Sequence, residues 1–434
     1  MHPALAYREE LGARERLLQA FRRTRAQTEA LVAPLTAEDM QVQTMGDVSP
    51  TKWHLAHVTW FFETFILDGV FNEYKLYDER FSYLFNSYYV SVGDRWSRPE
   101  RGLLSRPLLA DILAYRDYVT AEIVLKGENC SADTWSKIAP LIELGIHHEQ
   151  QHQELICTDI KHVLSQSPAP FAPFGADGAG LPGPVDPAPL RFSGFEGGLM
   201  ETGSDGGAFF YDNEFPRHKS WLYDFELAER TLTNGEWRAF MDDGGYDAAS
   251  LWLSDGWDFI DQNRVRAPLH WRQIDGDWFE YTLHGLVPLR DDLPVCHVSG
   301  YEAAAYAEWA GARLPLEAEL EVAASGDAPA GNFLFDDHGV RHPLAARPGA
   351  GLQQLAGGVW EWTASSYSPY PGFYPPGGSV GEYNGKFMSG QLVLRGGSCF
   401  TPEGHWRETY RNFFPPNARW QMSGVRLAKK QAAG

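Results

Sequence analysis

Two histidines four residues apart, in the stretch GIHHEQQHQELI at residues 145–156, have the spacing of a metal site. In a helix of 3.6 residues per turn, His148 and His152 lie about 40° apart on one face and can share one ion. Residues 148–152 also spell H-E-x-x-H, the motif in which zinc proteases use the glutamate as a general base. The pair therefore predicts a metal centre and raises the question of its chemistry.

The protease interpretation requires a third ligand downstream of the motif. The extended form needs glycine at position 155 and histidine at position 158, where the chain has Leu155 and Thr158. A downstream glutamate is also missing, because none occurs between Glu154 and Glu196. The sequence therefore disfavours a protease.

A third histidine can come from KWHLAHVTWFF, residues 52–62, which contains His54 and His57. Three neutral imidazoles on one face of a metal leave up to three coordination positions open. Such a site suits Zn²⁺ with a water molecule, or Fe²⁺ with substrates and O₂. Spacing alone does not decide between the two metals. It also does not decide whether His54 or His57 is the third ligand.

Four segments of the first half have the apolar periodicity of helices and must position these side chains. They are residues 13–35, 49–71, 105–127 and 131–165. Ser49 and Pro50 form a favoured start for the second, and Pro140 could break the fourth. The long connection after the second helix, residues 72–105, is of a length that is usually functional or disordered. Four helices predict a four-helix bundle over residues 1–165, a fold that places metals between facing helices.

The sequence changes character after the bundle. Residues 166–190 are rich in Pro, Gly and Ala and are predicted to be a linker. Residues 191–434 combine short β-type segments with Gly, Asn and Asp, and only residues 299–311 and 315–325 look helical. We therefore expect an α+β domain with many loops.

Composition excludes several classes of protein. The 434 residues carry 37 Lys and Arg against 57 Asp and Glu, a net charge of −20 that would repel a phosphate backbone. The four cysteines lie far apart, which fits a reducing cytosol rather than a disulfide scaffold. Because the sequence has neither an apolar signal segment nor a long apolar run, we expect a soluble, cytoplasmic protein.

Several longer motifs resemble a known family. LAHVTWFFE, FNSYYVSVGDRWSRPERGLLSRP and HHEQQHQE resemble the N-terminal bundle of ergothioneine-biosynthesis sulfoxide synthases (hercynine oxygenases), a bundle of the damage-inducible, metal-binding four-helix family. PVCHVSGYEAAAYAEWAGARLPLEAELEVAA, GGVWEWTASSY, LRGGSCF and SGVRLAK resemble the formylglycine-generating-enzyme fold, itself C-type-lectin-like. The pairing of both in one chain is diagnostic of the synthases.

The resemblance implies an oxidoreductase that uses Fe(II) and O₂ to join the sulfur of cysteine or γ-glutamylcysteine to C2 of the imidazole of hercynine. The product would be a sulfoxide, and the partners would be small molecules. The implied iron ligands are His57, His148 and His152. Tyr88 and Tyr89 would be catalytic, one of them supplying a proton at the oxygen end of the reaction.

The resemblance also implies substrate-binding residues. Arg98 and Arg101 would hold the carboxylate of the thiol substrate, since a guanidinium fork suits a carboxylate. Gln151 would contact the substrate imidazole. Asn412 would hold the hercynine carboxylate, with Phe413 beside the trimethylammonium group.

Three details bear on specificity and activity. Phe414 replaces an acidic residue of relatives that use γ-glutamylcysteine, which favours free cysteine as the donor. Tyr410 is a reserve candidate for the catalytic tyrosine, because some family members take it from the second domain. Cys296 and Cys399 do not form the thiol pair of formylglycine-generating enzymes, so we do not expect that activity.

Other functions stay open at this point. The related ovothiol branch uses histidine as acceptor and commonly carries a methyltransferase domain, for which the sequence leaves no room after SGVRLAK. A zinc-dependent thiol transferase or hydrolase would explain three histidines but not the second domain. A lectin-like binding module with an inert bundle would explain neither the histidines nor the arginines.

Overall fold

The computed structural model describes residues 3–169, 171–175, 181–326, 331–335, 340–347, 349 and 351–430, with side chains from residue 12 onward. The chain divides into two compact units. The first comprises Met1–Pro168 and Gly378–Val380, and the second comprises Ala169–Gly377 and Gly381–Gly434. Within the described residues, no helix is long and apolar enough to cross a membrane.

The first unit is helical. Its α-helices are α1 (Pro3–Val32), α2 (Thr51–Phe62), α3 (Phe81–Phe85), α4 (Leu109–Asn129) and α5 (Ala132–Ser165). Both α1 and α2 pack against α4 and α5, so the four longer helices form the predicted bundle. All twelve residues of α2 are buried, as expected for a helix that is enclosed on every side.

The helix boundaries correct two expectations. Ser49 does not cap α2: its backbone N–H donates to Asp159 Oδ2, 2.8 Å away, and its hydroxyl accepts from Arg101. Pro140 does not break α5, which continues from Ala132 to Ser165. The backbone carbonyl that Pro140 cannot engage belongs to Ser136, an exposed residue, so water can satisfy it.

A π-helical turn, Glu63–Asp68, extends α2 and was not predicted. The buried carboxylate of Glu63 accepts hydrogen bonds from the hydroxyl groups of Tyr74 and Tyr115 and from the backbone N–H of Tyr77. The connection that follows contains α3 and a 3₁₀ turn, Arg98–Leu103. The long segment predicted as a connection is therefore tied to the bundle by polar contacts.

The described residues of the second unit form short strands in four small sheets. The strands are β1 (Phe192–Phe195), β2 (Gly198–Thr202), β3 (His218–Leu222), β4 (Phe225–Ala228), β5 (Trp271–Ile274), β6 (Asp277–Thr282), β7 (Gly285–Pro288), β8 (Trp360–Ser366), β9 (Leu392–Arg395), β10 (Asn412–Phe414), β11 (Ser423–Gly424) and β12 (Ala428–Lys430). They pair in the orders β1-β4-β12, β10-β9-β8-β11, β2-β3 and β5-β6-β7. Every pairing is antiparallel except that of β11 with β8.

The helices of the second unit are α6 (Asn234–Asp242), α7 (Ser254–Gln262), α8 (Gly300–Trp309) and α9 (Glu317–Ala324). The helices predicted over residues 299–311 and 315–325 are confirmed. Sequence reasoning missed α6 and α7, although α6 begins with a capping box in which Thr233 and Glu236 each bond the other's backbone N–H. The predicted fold class, a helical bundle followed by an α+β unit, is confirmed.

Candidate metal centre

Helices α2 and α5 bring three histidines together inside the bundle. The potential ligand nitrogens of His57, His148 and His152 all lie within 4.8 Å of one another. The ring centroid of His57 is 5.0 Å from that of His148 and 4.8 Å from that of His152. Among the described residues, no other group of three His, Cys, Asp or Glu side chains converges in this way.

The ring of His57 is fixed on several sides. Its Nδ1 donates to the backbone carbonyl of Phe85 at 2.6 Å, which leaves the lone pair on Nε2. This buried Nε2 has no hydrogen-bond partner among the described residues. Trp53 and Trp60 stack on the ring at centroid distances of 4.6 and 5.6 Å. A buried, unsatisfied acceptor aimed into a cluster of imidazoles fits a metal ligand.

His152 is held from behind by a second histidine. Its Nδ1 lies 2.8 Å from Nδ1 of His54, and Nε2 of His54 lies 3.0 Å from Oδ2 of Asp159. Of the two histidines that the sequence left open on the second helix, His57 lies in the cluster and His54 lies behind it. Burial lowers the pKa of His54, although Asp159 acts in the opposite direction.

Burial also keeps the three clustered imidazoles neutral. It lowers the pKa of His148 to about 3. Burial first, and the neighbouring His148 second, lower the pKa of His57 and His152 well below the usual value. Neutral imidazoles present lone pairs, so the donor set fits a divalent transition metal such as Zn²⁺ or Fe²⁺.

Glu149, the glutamate of the H-E-x-x-H motif, belongs to a different part of the bundle. It is fully buried and accepts from Arg25 at 2.9 Å, Arg116 at 2.9 Å and Thr28 at 2.7 Å. Burial alone would raise the pKa of Glu149, but the two guanidinium groups outweigh it and lower the pKa to about 2. A carboxylate committed to two arginines does not serve as the general base of a zinc protease.

A glycine permits the close approach of the two ligand-bearing helices. A Cβ atom at Gly145, one turn before His148, would stand 2.3 Å from Cε1 of Phe62. The ring of Phe62 on α2 therefore packs directly against the backbone of α5. This contact sets the spacing of the helices at the level of the triad.

Arg101 is a buried cation beside the triad. Its guanidinium donates to the hydroxyl groups of Ser49 at 2.8 Å and Ser87 at 3.3 Å, and no carboxylate of the described residues forms an ion pair with it. Burial and the neighbouring charge of Arg98 lower its pKa well below the usual value. Arg98 itself is exposed and donates to the backbone carbonyl of Asp47. The two predicted arginines thus occupy different environments.

The two predicted tyrosines lie in the aromatic cluster next to His57. Tyr89 is fully buried, with its ring centroid 5.7 Å from Trp60 and 5.0 Å from Phe65. Tyr88 is half-buried, and its ring lies 4.6 Å from that of Tyr89. Trp60 contacts both Tyr89 and His57, so the tyrosine and the ligand histidine belong to one aromatic cluster. Gln151 lies half-buried on α5 between the two ligand histidines.

The remaining predicted site residues belong to the second unit. Asn412 begins β10, and its side-chain oxygen accepts the backbone N–H of Phe413 at 2.9 Å. Phe413 stacks on Tyr367 at a centroid distance of 4.0 Å. Tyr410 is buried against Trp360 and Arg407, and its reserve role as the catalytic tyrosine stays a prediction. The proposed contacts of Asn412 and Phe413 with hercynine stay predictions.

Sequence reasoning missed the role of Asp159 and assigned His54 only as a neighbour. Asp159 follows His152 by seven residues, which is two helical turns, so it lies on the same face of α5. His54 precedes His57 by three residues on α2. The spacing of Asp159, seven residues after His152 on the metal-facing side of α5, was the sequence signal that could have identified it.

Comparison with protein families agrees with the division into two units. Residues 20–156 match the DinB superfamily. Residues 192–349 and 345–431 match the sulfatase-modifying factor enzyme 1-like domain. None of the four cysteines forms a disulfide within the described residues, and Cys296 and Cys399 are both buried.

Two proteins named hercynine oxygenases match most of the chain. The chain is 33% identical to a hercynine oxygenase of Mycolicibacterium smegmatis, over 96% of this chain and 99% of the relative. It is 31% identical to a hercynine oxygenase of Mycolicibacterium thermoresistibile, over 88% of this chain and 87% of the relative. A formylglycine-generating enzyme of Streptomyces coelicolor is 30% identical over 50% of this chain and 82% of the relative. With a buried histidine triad in its DinB-type bundle and full-length similarity to these oxygenases, the chain belongs to the hercynine oxygenase family.

Proposed function

We propose that this protein catalyses an Fe(II)- and O₂-dependent step of ergothioneine biosynthesis, in which the sulfur of cysteine is joined to C2 of the imidazole of hercynine. The main support for this function is the buried, neutral triad of His57, His148 and His152 in a chain whose relatives are named hercynine oxygenases. Similarity to a protein named ergothioneine biosynthesis protein 1 of Schizosaccharomyces pombe, over 51% of this chain, supports the pathway.

The proposed reaction balances without an added reductant. The C2–H bond of hercynine and the S–H bond of cysteine are lost, and a C–S bond and an S–O bond form. This is a four-electron oxidation, and one O₂ takes up the four electrons. One oxygen atom enters the sulfoxide and the other leaves as water with the two hydrogen atoms.

The triad would hold the iron through the lone pairs of its neutral imidazoles. An Fe(II) ion held by these three histidines would supply the redox chemistry that a reaction with O₂ needs and would bring the substrates together in one oriented complex. Tryptophan and phenylalanine rings pack against His57 and His148, which would limit the access of water to the triad. An enclosed site limits competing oxidation of the thiol.

Arg101 would bind the carboxylate of cysteine. Its guanidinium is buried beside the triad and forms no ion pair with a carboxylate of the described residues, although the charge of Asp159 acts to raise its pKa, so a substrate anion would add a direct partner. Arg98 would contribute at longer range, since it is exposed and already bonded to Asp47. Gln151 would contact the hercynine imidazole, since it lies three residues after His148 and next to His152 on α5.

Tyr88 or Tyr89 would supply the proton that accompanies oxygen reduction. Both rings belong to the aromatic cluster that includes Trp60, and Trp60 stacks on His57. A phenol in a water-poor cluster can deliver a proton where bulk water cannot. The family resemblance implies that Asn412 holds the hercynine carboxylate and that Phe413 lies beside its trimethylammonium group.

Free cysteine is the proposed donor because the residue at position 414 is apolar. Phe414 packs edge-on against Trp420, with ring centroids 5.5 Å apart. A γ-glutamyl amine would find no carboxylate at this position. A reducing cytoplasm, which keeps cysteine as the thiol, is the proposed compartment.

Mass spectrometry of an aerobic incubation tests the function. Protein loaded with Fe(II) is mixed with each pairing of hercynine or histidine with cysteine or γ-glutamylcysteine. We expect one principal product, with the mass of hercynine plus cysteine plus one oxygen atom minus two hydrogen atoms. No coupled product from any pair, in protein that retains iron, would reject the synthase and leave zinc-dependent thiol chemistry.

A further inference from the structure

A buried acidic residue reaches the metal triad through a histidine that is not itself in the triad. Asp159 Oδ2 lies 3.0 Å from Nε2 of His54, and Nδ1 of His54 lies 2.8 Å from Nδ1 of His152. All three side chains are almost fully buried. The contact joins two turns of α5 through one residue of α2.

The hydrogen-bond directions follow from the partners. Oδ2 of Asp159 also accepts the backbone N–H of Ser49 at 2.8 Å, so this oxygen is an acceptor and Nε2 of His54 is the donor toward it. A neutral imidazole that donates through one nitrogen accepts through the other. Nδ1 of His54 therefore accepts, and Nδ1 of His152 donates to it, which leaves the lone pair of His152 on Nε2.

We propose that Asp159 and His54 are positioning residues that hold His152 in the Nδ1–H tautomer with its Nε2 directed at the metal. The inference rests on the proposed metal-binding role of the triad. A ligand histidine whose second nitrogen donates to such a chain is held in both tautomer and ring orientation, and its basicity increases.

The ligand histidines of α2 and α5 have different kinds of hydrogen-bond partner. His57 donates to a backbone carbonyl, that of Phe85, whereas His152 donates to a side chain. A side-chain partner can be replaced without moving the backbone, so the role of His54 can be tested by substitution. The same Ser49 that bonds Asp159 also accepts from Arg101, so the positioning pair and the proposed carboxylate site share a residue.

Co(II) binding to the metal-free full-length protein provides a readout that does not depend on turnover. The visible ligand-field bands of Co(II) report both affinity and coordination. His54→Leu removes the acceptor for His152, His54→Asn retains an acceptor near Nδ1 but loses the contact with Asp159, and Asp159→Asn removes the carboxylate. His162→Leu is the matched control, because His162 is a buried histidine of α5 whose Nδ1 bonds Thr44.

We expect His54→Leu to weaken Co(II) binding about 10- to 100-fold and to shift the ligand-field bands, with smaller losses for His54→Asn and Asp159→Asn. His162→Leu should bind as the wild type does. Thermal unfolding of the metal-free variants separates lost affinity from lost structure. If His54→Leu does not fold, the Co(II) affinities of His54→Asn and Asp159→Asn still test the proposed role.

Two contrary results are distinguishable. If the wild type binds Co(II) and the folded His54 and Asp159 variants bind it with unchanged affinity and spectrum, the positioning role is wrong. If the wild type itself binds neither Co(II) nor Fe(II), the proposed metal centre is wrong, and the inference that depends on it is wrong with it.

Discussion

The guanidinium of Arg101 lies on the ring of Trp53, with Cζ 3.3 Å from the ring centroid. Trp53 in turn stacks on His57 with an interplanar angle of 11°. A flat cation on an electron-rich ring gains a cation–π interaction, which partly offsets its burial. Arg101 is therefore held beside the triad with its remaining donors available to a substrate anion.

Replacing Arg101 tests this arrangement. Arg101→Gln should lower kcat/KM for cysteine about 10- to 100-fold, because a hydrogen bond to a charged group contributes about 1.5–3 kcal/mol. The comparison is with cysteamine, which lacks the carboxylate. The wild type should prefer cysteine strongly, and the variant should lose that preference. Undiminished discrimination in Arg101→Gln would move the carboxylate site elsewhere, and Arg98→Gln, at the exposed arginine, should cause a smaller loss of the same preference.

Loss of a triad histidine should abolish metal binding. We expect His57→Ala, His148→Ala and His152→Ala to retain little iron after anaerobic loading and to form no coupled product. Metal content by elemental analysis and product yield are measured on the same samples. Full turnover in His57→Ala would transfer the ligand role on α2 to His54. His162→Ala serves as the control for removal of a buried histidine.

The tyrosine pair should affect product partition rather than metal binding. The double variant Tyr88→Phe/Tyr89→Phe keeps the aromatic packing and should bind iron normally, while coupling slows or cysteine is diverted to simple thiol oxidation. The ratio of sulfoxide to oxidised cysteine is measured by mass spectrometry. Tyr83→Phe, at a largely exposed tyrosine of α3, is the control. Unchanged rate and ratio would leave both tyrosines as packing residues.

Glu149 should matter for stability rather than for proton transfer. Glu149→Gln leaves Arg25 and Arg116 buried without their carboxylate, and we expect a loss of about 3–5 kcal/mol in the free energy of unfolding. Urea denaturation followed by helical circular dichroism measures the change. Glu143→Gln, at an exposed position of the same helix, should change stability by less than about 0.5 kcal/mol. Equal stability of the two variants would contradict the structural role.

Gly145 should not accept a side chain. Gly145→Ala places a methyl group into the ring of Phe62, and such overpacking costs about 1–3 kcal/mol of stability. The displaced helices should also weaken metal binding. The double variant Gly145→Ala/Phe62→Leu, with a smaller side chain at the contact, should recover part of both losses. The absence of any stability change in Gly145→Ala would show that the helices can separate without cost.

The bundle was predictable because its helices carry regular apolar periodicity, and the i,i+4 spacing of His148 and His152 directly indicated a shared ligand face. The H-E-x-x-H motif, in contrast, does not reveal where Glu149 points. Its partner Arg25 is 124 residues away, and no local pattern encodes that contact.

The contact between His54 and Asp159 was equally unpredictable from sequence, since the two residues are 105 positions apart. In the second unit, Thr233 and Glu236 of α6 did carry a local capping signal and the helix is amphipathic, but it spans only nine residues, too few for its periodicity to stand out among the surrounding loops. The π-helical turn at Glu63 depends on hydrogen bonds from Tyr74 and Tyr115, which only the folded bundle provides.

The ratio of O₂ consumed to coupled product formed tests the proposed chemistry most directly. The measurement combines an oxygen electrode with quantitative mass spectrometry on iron-loaded wild-type protein, hercynine and cysteine, without any added reductant. We predict one O₂ consumed per sulfoxide formed, and no product in the absence of O₂. Coupled product formed without O₂ uptake would contradict the oxidative C–S bond formation proposed for this triad.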